Sequence, residues 1–334
     1  MPVKLVEVMR GKTVESIHRG DIAVVSLKDD ILYELGDSER LTFFRSSSKP
    51  FQAIASLESG IIEKFNIEQK EIALMASSHS GEIEHINVIK GLMEKVGIEE
   101  EALICGSHEP INREAALELI TSGIKPSMLH CNCSAKHVGI LAACKIKGYE
   151  LKDYNKYDHP IQKDIDKVIS DFTGIAESEI VKGIDGCNIP VHAVSLRNMA
   201  YSYANLTNYK FMDGKYEKSQ KSLIASMIAF PEMVAGKGRL DTELMRLLKG
   251  RVIAKIGAEG VYCASIPSKN IGISIKIEDG NSRALGPIIL ETLLQLNIIS
   301  SEELGVLRDF WRPEILNHYG EKSGEIRAKF KIKS

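Results

Sequence analysis

A serine and a lysine three residues apart, Ser46 and Lys49, have the types and spacing of a nucleophile with its own general base. Residues three apart face each other on a helix, so the lysine amine can reach the serine hydroxyl. The apolar run that starts at Phe51 predicts a helix whose N-terminus adds N–H donors and a partial positive charge. Desolvation in that field favours the neutral lysine, which can accept a proton.

The same segment is also typical of a serine-rich helix cap followed by a solvated lysine. A second Ser-x-x-Lys occurs at Ser122 and Lys125, with no other reactive residue beside it. Pro50 disfavours helical backbone at Lys49. We therefore expect regular helix to begin only after Lys49, with Ser46 and Lys49 facing each other across a tight turn.

A second polar segment, Ser77-Ser78-His79-Ser80-Gly81-Glu82, precedes a stretch with apolar residues at helical spacing. Ser78 or Ser80 could cap that helix, with Glu82 favourably placed in its first turn. In the functional interpretation, the segment presents hydroxyl and N–H donors to a polar substrate. We expect His79, Ser80 and Glu82 to belong to the substrate site.

Two cysteine-containing loops could hold a metal. Cys133 lies at the start of an apolar helix, and Cys187 follows Asp185-Gly186 in a turn. Two thiolates with a nitrogen or a water could bind zinc, although buried free cysteines are also common. We place Asp185 and Gly186 among the substrate-binding candidates.

Lys255 ends a predicted strand and is followed by flexible backbone, Gly257 to Gly260. It could project into a cleft as a cationic anchor for a carboxylate or as a second base. The alternative is a strand-end lysine in solvent.

Composition limits the function classes. The chain has 334 residues, 26% of them charged, with a net charge of −2, so no electrostatic case exists for nucleic acid or an anionic membrane. No apolar run reaches the length of a membrane span, and the N-terminus lacks the apolar core of a signal peptide. We expect a cytoplasmic protein whose six cysteines are reduced.

The order of elements predicts an α+β fold in which strands from both chain ends form one antiparallel sheet. Residues 1–45 and 251–334 are expected to form the sheet part, and residues 46–250 a helical part, of a single catalytic unit. Predicted helices include 51–65, 82–96, 112–120, 135–146, 160–172, 215–229, 241–249 and 283–296; predicted strands include 3–8, 21–27, 31–33, 251–255, 261–266, 271–277 and 325–332.

Five motifs occur in a fixed order: Arg-Ser-x-x-Lys at 45–49, Ser-His-Ser-Gly-Glu at 78–82, Asn-Cys-Ser-x-Lys-His at 132–137, Asp-Gly-Cys at 185–187, and Lys-x-Gly-Ala-Glu-Gly at 255–260. Together they resemble the rhizobial-type, thermolabile L-asparaginases, over nearly the whole chain. The resemblance implies a fold similar to serine β-lactamases and glutaminases, and a homodimer.

The resemblance also implies residue roles. Ser46 matches the nucleophile and Lys49 its base, while Ser78 matches a second hydroxyl that relays protons or is itself the nucleophile. Lys255 matches a second active-site lysine. The implied ligands of one zinc ion near the substrate are Cys133, Lys136 and Cys187. The metal loops depart from the family pattern at Ala135, where family members often have Gly, and at Asn188-Ile189-Pro190, where small residues are usual.

The expected activity is hydrolysis of L-asparagine to aspartate and ammonia. One alternative is another amidase acting on glutamine, a β-lactam or a small peptide. A second is a non-catalytic, zinc- or thiol-dependent sensor that uses the cysteine loops alone.

Overall fold

Strands from the two ends of the chain pair in one antiparallel sheet, as predicted. The computed structural model describes residues 1–332. The strands are β1 (Val3–Arg10), β2 (Thr13–Ser26), β3 (Ile31–Leu35), β4 (Leu41–Phe43), β5 (Val181–Ile184), β6 (Pro190–Ser195), β7 (Ile253–Gly257), β8 (Val261–Ile266), β9 (Ile271–Ile277), β10 (Glu314–Leu316) and β11 (Lys322–Ala328). Their order in the main sheet is β10-β11-β1-β2-β9-β8-β7, and β3 also pairs with β2. The α+β class is therefore confirmed.

Fourteen α-helices lie within the described range. They are α1 (Lys49–Leu57), α2 (Ile61–Phe65), α3 (Gln69–Met75), α4 (Ile83–Val96), α5 (Arg113–Thr121), α6 (Ser134–Lys147), α7 (Pro160–Thr173), α8 (Leu196–Leu206), α9 (Glu217–Ala229), α10 (Pro231–Val234), α11 (Leu240–Leu248), α12 (Leu285–Gln295), α13 (Ser301–Val306) and α14 (Arg308–Trp311). No helix among residues 1–332 has the length and apolarity that a membrane crossing requires.

The chain forms two compact units. The first comprises residues 1–47, 194–205 and the described residues from 247 to 332, and contains the main sheet. Helix α12 packs on β1, β8, β9 and β11. Helix α8 approaches β9 so closely that a side chain at Gly272 would lie 1.8 Å from the carbonyl oxygen of Ala200. Glycine at this position is what lets the helix and the strand pack together.

The second unit comprises residues 48–193 and 206–246. Helix α1 is buried along its whole length and packs on α6, α7 and α9. Helix α6 is buried from Ser134 to Cys144, and Gly139 meets the side chain of Met75 on α3. The hairpin of β5 and β6 pairs Val181 with Ala193 and Ile184 with Pro190. Because α1 begins at Lys49, this packing fixes the position of that residue.

Two details of the predicted helix over 51–65 are wrong. Helix begins at Lys49, not after it, because Pro50 sits in the first turn, where a missing N–H has no helical partner to lose. The helix then ends at Leu57, and a new one starts after Gly60, whose φ of +83° is left-handed. A 3₁₀ turn over Arg45–Ser48 leads into α1.

The sequence analysis missed two strands and misplaced a third. Strands β5 and β6 lie within the stretch predicted as mostly helical. Sequence analysis missed them because each is too short for an alternating pattern to be distinct. The last long strand, β11, covers Lys322–Ala328 and not 325–332.

Candidate active site

Lys49 is the centre of the polar cluster in the second unit. Its side chain is 1% exposed, which excludes the solvated lysine considered above. Nζ lies 2.5 Å from the carbonyl oxygen of Ser77, 3.0 Å from Oγ of Ser78 and 3.3 Å from the carbonyl oxygen of Asn132. Three elements therefore meet at one amine: the start of α1, the loop before α4 and the loop before α6.

The chemistry of these three partners defines what Lys49 can do. Two of them are carbonyl oxygens, which only accept hydrogen bonds, whereas the Ser78 hydroxyl can donate or accept. Nζ of Lys49 donates to all three oxygens. A neutral amine has only two N–H groups, so if both go to the carbonyls its lone pair is left for the Ser78 hydroxyl. The arrangement therefore suits proton transfer between the Ser78 hydroxyl and the Lys49 amine.

The loop from Ser77 to Glu82 is held by Val234, the last residue of α10, and by the loop that follows it, residues 235–239. The N–H of Ser78 donates to the Val234 carbonyl at 2.9 Å, and Oγ of Ser80 donates to the Ala235 carbonyl at 2.8 Å. The N–H of Lys237 donates to Oε1 of Glu82 at 3.0 Å. These contacts fix the backbone on which the Ser78 hydroxyl is mounted.

Gly236 permits this close approach. Its φ of +131° is open to glycine and rarely to other residues. A β-carbon there would lie 2.5 Å from Oγ of Ser80 and 2.6 Å from Oε1 of Glu82.

The N-cap of α4 is Glu82, so the expectation that Ser78 or Ser80 caps this helix is wrong. The N–H of Glu82 donates to Nδ1 of His85 at 3.2 Å. The two serines are unavailable to the helix because Lys49 and Ala235 bind their side chains.

His79 lies inside the protein, and both of its ring nitrogens are engaged. Nδ1 accepts from the N–H of Gly81 at 3.2 Å, which assigns the ring proton to Nε2. Nε2 then donates to Oγ of Ser134 at 3.0 Å. Burial lowers the pKa of His79 well below its usual value. This neutral imidazole connects the Ser77–Glu82 loop to α6.

The three residues of the predicted zinc set lie together and are buried. Cys133 precedes α6, Lys136 lies in its first turn, and Cys187 comes from the turn before β6. Nζ of Lys136 is 3.0 Å from Sγ of Cys187. Hydrogen bonds from Cys131 and Cys187 hold the pKa of the Cys133 thiol well below its usual range. Burial alone would lower the pKa of Lys136, but the attraction of Cys187 and Cys133 outweighs it and raises the pKa.

This donor set fits a thiophilic divalent metal. Among residues 1–332 no group of three or more His, Cys, Asp or Glu side chains is arranged to hold a metal ion. A site here would therefore need Lys136 as a third donor beside the sulfurs of Cys133 and Cys187. Two thiolates and an amine are ligands that suit zinc.

Asp185 and Gly186 form the turn that carries Cys187. The N–H of Asp185 donates to the Ile189 carbonyl at 2.9 Å, and the N–H of Asn188 donates to the Asp185 carbonyl at 2.8 Å. Asn188 has a φ of +67°, a conformation that asparagine tolerates better than most residues. The left-handed backbone of this turn therefore accounts for an asparagine next to Cys187.

Ser46 and Lys255 belong to the first unit. Ser46 is half-buried in the 3₁₀ turn and follows Arg45, whose φ of +51° is left-handed. Ser47 fixes the turn, because its Oγ donates to the Phe44 carbonyl at 2.6 Å and its carbonyl accepts from the hydroxyl of Tyr203 at 2.7 Å.

Lys255 is fully buried on β7, opposite Cys263 of β8. Its Nζ donates to the Ile256 carbonyl at 3.1 Å. The alternative of a strand-end lysine in solvent is therefore wrong.

A family profile described as L-asparaginase II matches residues 6–328. The chain belongs to the L-asparaginase II family. No protein with a curated description matches this asparaginase II sequence.

Solved structures show partial likeness to this asparaginase II chain. A β-lactamase from Mycobacterium bovis is 13% identical, with 84% of this chain and 95% of that chain covered and a TM-score of 0.45. A Bacillus glutaminase is 14% identical, with 84% and 91% covered and a TM-score of 0.40.

Sequence reasoning missed part of the candidate site of this asparaginase II family member. The Ser77 and Asn132 carbonyls are backbone groups, so residue type does not reveal them. Arg239 was also missed: its Nη1 donates to the Ser78 carbonyl at 3.1 Å and lies 3.4 Å from Oγ of Ser80. The available signal was Gly236-Lys237-Gly238-Arg239, two cations alternating with two glycines.

Proposed function

We propose that this L-asparaginase II family member hydrolyses the side-chain amide of L-asparagine to L-aspartate and ammonia. Family membership supports an amidohydrolase acting on a small molecule. The observation that carries the proposal is the buried Lys49 amine, held by two carbonyl oxygens and 3.0 Å from the Ser78 hydroxyl. A buried amine with that neighbour is suited to deprotonate an alcohol.

In the proposed mechanism Ser46 is the nucleophile. Its Oγ bonds to the amide carbon while Lys49, through Ser78, takes the hydroxyl proton. The tetrahedral intermediate carries its negative charge on the former carbonyl oxygen, and backbone N–H groups near Ser46 stabilise it. The C–N bond then breaks, the proton passes to the leaving nitrogen, and ammonia departs.

Water completes the reaction by attacking the acyl-enzyme ester, with Lys49 accepting its proton and Ser46 regaining one. Lys255 is the second lysine of the site in this proposal. We assign substrate contacts to the Ser77–Glu82 loop, with His79 supporting it from inside, and to Asp185 and Gly186.

Cys133, Lys136 and Cys187 would hold one zinc ion. When bound, the ion supplies a positive charge that orients the substrate. An ammonium cannot bind a metal, so Lys136 must lose its proton when the ion enters.

Ammonia release from asparagine, glutamine and a β-lactam, measured with purified protein, tests the proposal. We expect asparagine to give the highest kcat/KM and Ser46→Ala to abolish the release. Higher kcat/KM on glutamine would make the protein a glutaminase with the same residues. A chain that hydrolyses no amide but loses a binding function in Cys133→Ala would instead be a sensor.

A further inference from the structure

Arg239 lies at the end of the loop that holds the Ser77–Glu82 segment. Its guanidinium donates to the Ser78 carbonyl at 3.1 Å and approaches Oγ of Ser80 at 3.4 Å. Ser78 is also the residue whose hydroxyl meets Lys49 at 3.0 Å. Arg239 therefore contacts the same residue whose hydroxyl meets the proposed base.

This arginine has no carboxylate partner in the described part of the chain. Both of its acceptors are neutral, and both use Nη1. A nearby arginine shows the contrast, because Arg246 on α11 pairs with Glu243 at 2.8 Å and with Glu232 at 3.6 Å. A guanidinium has five N–H donors in a planar fork. Arg239 therefore keeps donors available for an anion.

The position of Arg239 is set by rigid neighbours. The loop before it is fixed by the contacts of Ala235 and Lys237 with Ser80 and Glu82. The side chain is half-buried, so water screens its charge less than that of an exposed arginine. The planar fork of arginine matches the two oxygens of a carboxylate better than the point charge of lysine does.

We propose that Arg239 binds the α-carboxylate of the amide substrate. The inference rests on the proposed amidase function and adds to it the residue that selects amino-acid amides over simple amides. One arginine then contacts the substrate's charged end and, through the Ser78 carbonyl, the residue that meets the base.

Pairs of amides that differ only in the α-carboxylate test the inference. Asparagine is compared with β-alaninamide, and glutamine with 4-aminobutanamide, in the wild type and in Arg239→Gln. Loss of one charge-assisted interaction should lower kcat/KM for asparagine and glutamine by roughly 10- to 100-fold. For the two amides without the carboxylate, Arg239→Gln should have the same kcat/KM as the wild type. Arg239→Lys should restore part of the preference for amides that carry the α-carboxylate.

Two controls separate recognition from loop support. Lys237→Gln removes an exposed cation of the same loop. It should leave unchanged the ratio of kcat/KM between each amino-acid amide and the matching amide without the α-carboxylate. Calorimetric titration with L-aspartate and L-glutamate measures binding without turnover, and Arg239→Gln should weaken it by a similar factor.

The outcomes are distinct. An equal fall for all four amides would overturn the inference, because it would show that Arg239 only supports the loop. Wild-type protein that binds neither amino acid would overturn it as well. Turnover of glutamine but not asparagine would refute the asparaginase proposal alone, and the glutamine pair would then decide the role of Arg239.

Discussion

At the scale of single residues, the site depends on partners that have no sequence signature. The types and spacing of Ser46 and Lys49 predicted a nucleophile with its base, and the family resemblance added Ser78. The position of the Lys49 amine is set by the carbonyls of Ser77 and Asn132. Carbonyls are common to all residues, so only the fold shows which ones surround the Lys49 amine.

The first residue-scale prediction concerns the proposed nucleophile and base. Ser46→Ala and Lys49→Ala should each lower kcat by roughly a thousandfold or more, and the double variant should be little worse, because the residues act as a unit. Lys49→Arg should be inactive, since a guanidinium does not lose its proton. Ammonia release in single-turnover and steady-state assays measures these effects.

The chain supplies its own matched control. Ser122 and Lys125 repeat the Ser-x-x-Lys spacing on the surface. Ser122→Ala and Lys125→Ala should keep wild-type kcat. Near-additive losses in the Ser46 and Lys49 variants would argue against a shared proton path.

The second residue-scale prediction concerns pH and two buried histidines. Burial lowers the pKa of both His79 and His85 in the folded state. Unfolding exposes them to water, where the pKa is about 6.5. The unfolded chain therefore binds more protons below about pH 6.5, so the free energy of unfolding should fall as pH drops through that value. The loss is at most about 1.4 kcal/mol per pH unit for each histidine.

Urea denaturation between pH 7.5 and 5 measures this dependence. His85→Gln should make it shallower, because glutamine can still accept from the Glu82 N–H and donate to the Glu232 carbonyl that His85 contacts at 3.0 Å.

At the scale of elements, strongly patterned strands and capped helices were predictable. Strands β8 and β9 have the predicted bounds, and α5 starts after Asn112, whose side chain accepts from the N–H of Ala115. The elements that failed depend on tertiary contacts. The break after Leu57 occurs at Gly60, where a left-handed turn interrupts a continuous apolar pattern.

The element-scale prediction concerns the contact of Gly236 with the Ser77–Glu82 loop. Gly236→Ala should reduce both stability and kcat/KM, because its β-carbon would push against Ser80 and Glu82. We expect a fall of about tenfold or more in kcat/KM, since displacing Ser80 also moves Ser78.

Gly238→Ala is the matched control. Gly238 is also left-handed, with a φ of +69°, but a β-carbon there meets no atom within 4 Å. It should cost only about 1–2 kcal/mol of backbone strain and keep activity. If Gly236→Ala and Gly238→Ala lowered stability and kcat/KM equally, backbone strain alone would explain both losses, and the contact with the Ser77–Glu82 loop would not contribute.

At the scale of the whole molecule, family membership and the sheet built from both chain ends were predictable from the order of five motifs and the order of elements. The zinc ion and the homodimer remain predictions. The structure adds that the two thiols and the amine of the predicted set come together from segments some fifty residues apart.

The whole-molecule prediction concerns the metal. Protein purified without added metal should contain about one zinc per chain, and Cys133→Ser and Cys187→Ser should lose it. KM should rise more than kcat falls, because the proposed role of the ion is to orient substrate. The fold should persist, since a chain of 334 residues buries a core that one ion does not determine.

Elemental analysis and circular dichroism measure metal content and folding. Cys144→Ala is the control, because Cys144 is buried on α6 but lies outside the predicted set. Full activity in metal-free protein would show that this family member has dispensed with the ion.

The pairing of β1 with β11 also affects how the protein is made. Val6 lies opposite Ala328 and Arg10 opposite Gly324, so β1 cannot pair on that side until almost the whole chain has been synthesised. A ribosome adds roughly 5–20 residues per second. The nascent N-terminal hairpin therefore waits with open strand edges, which are sites for aggregation. Translation stalled before β11 should yield chains that depend on chaperones to stay soluble.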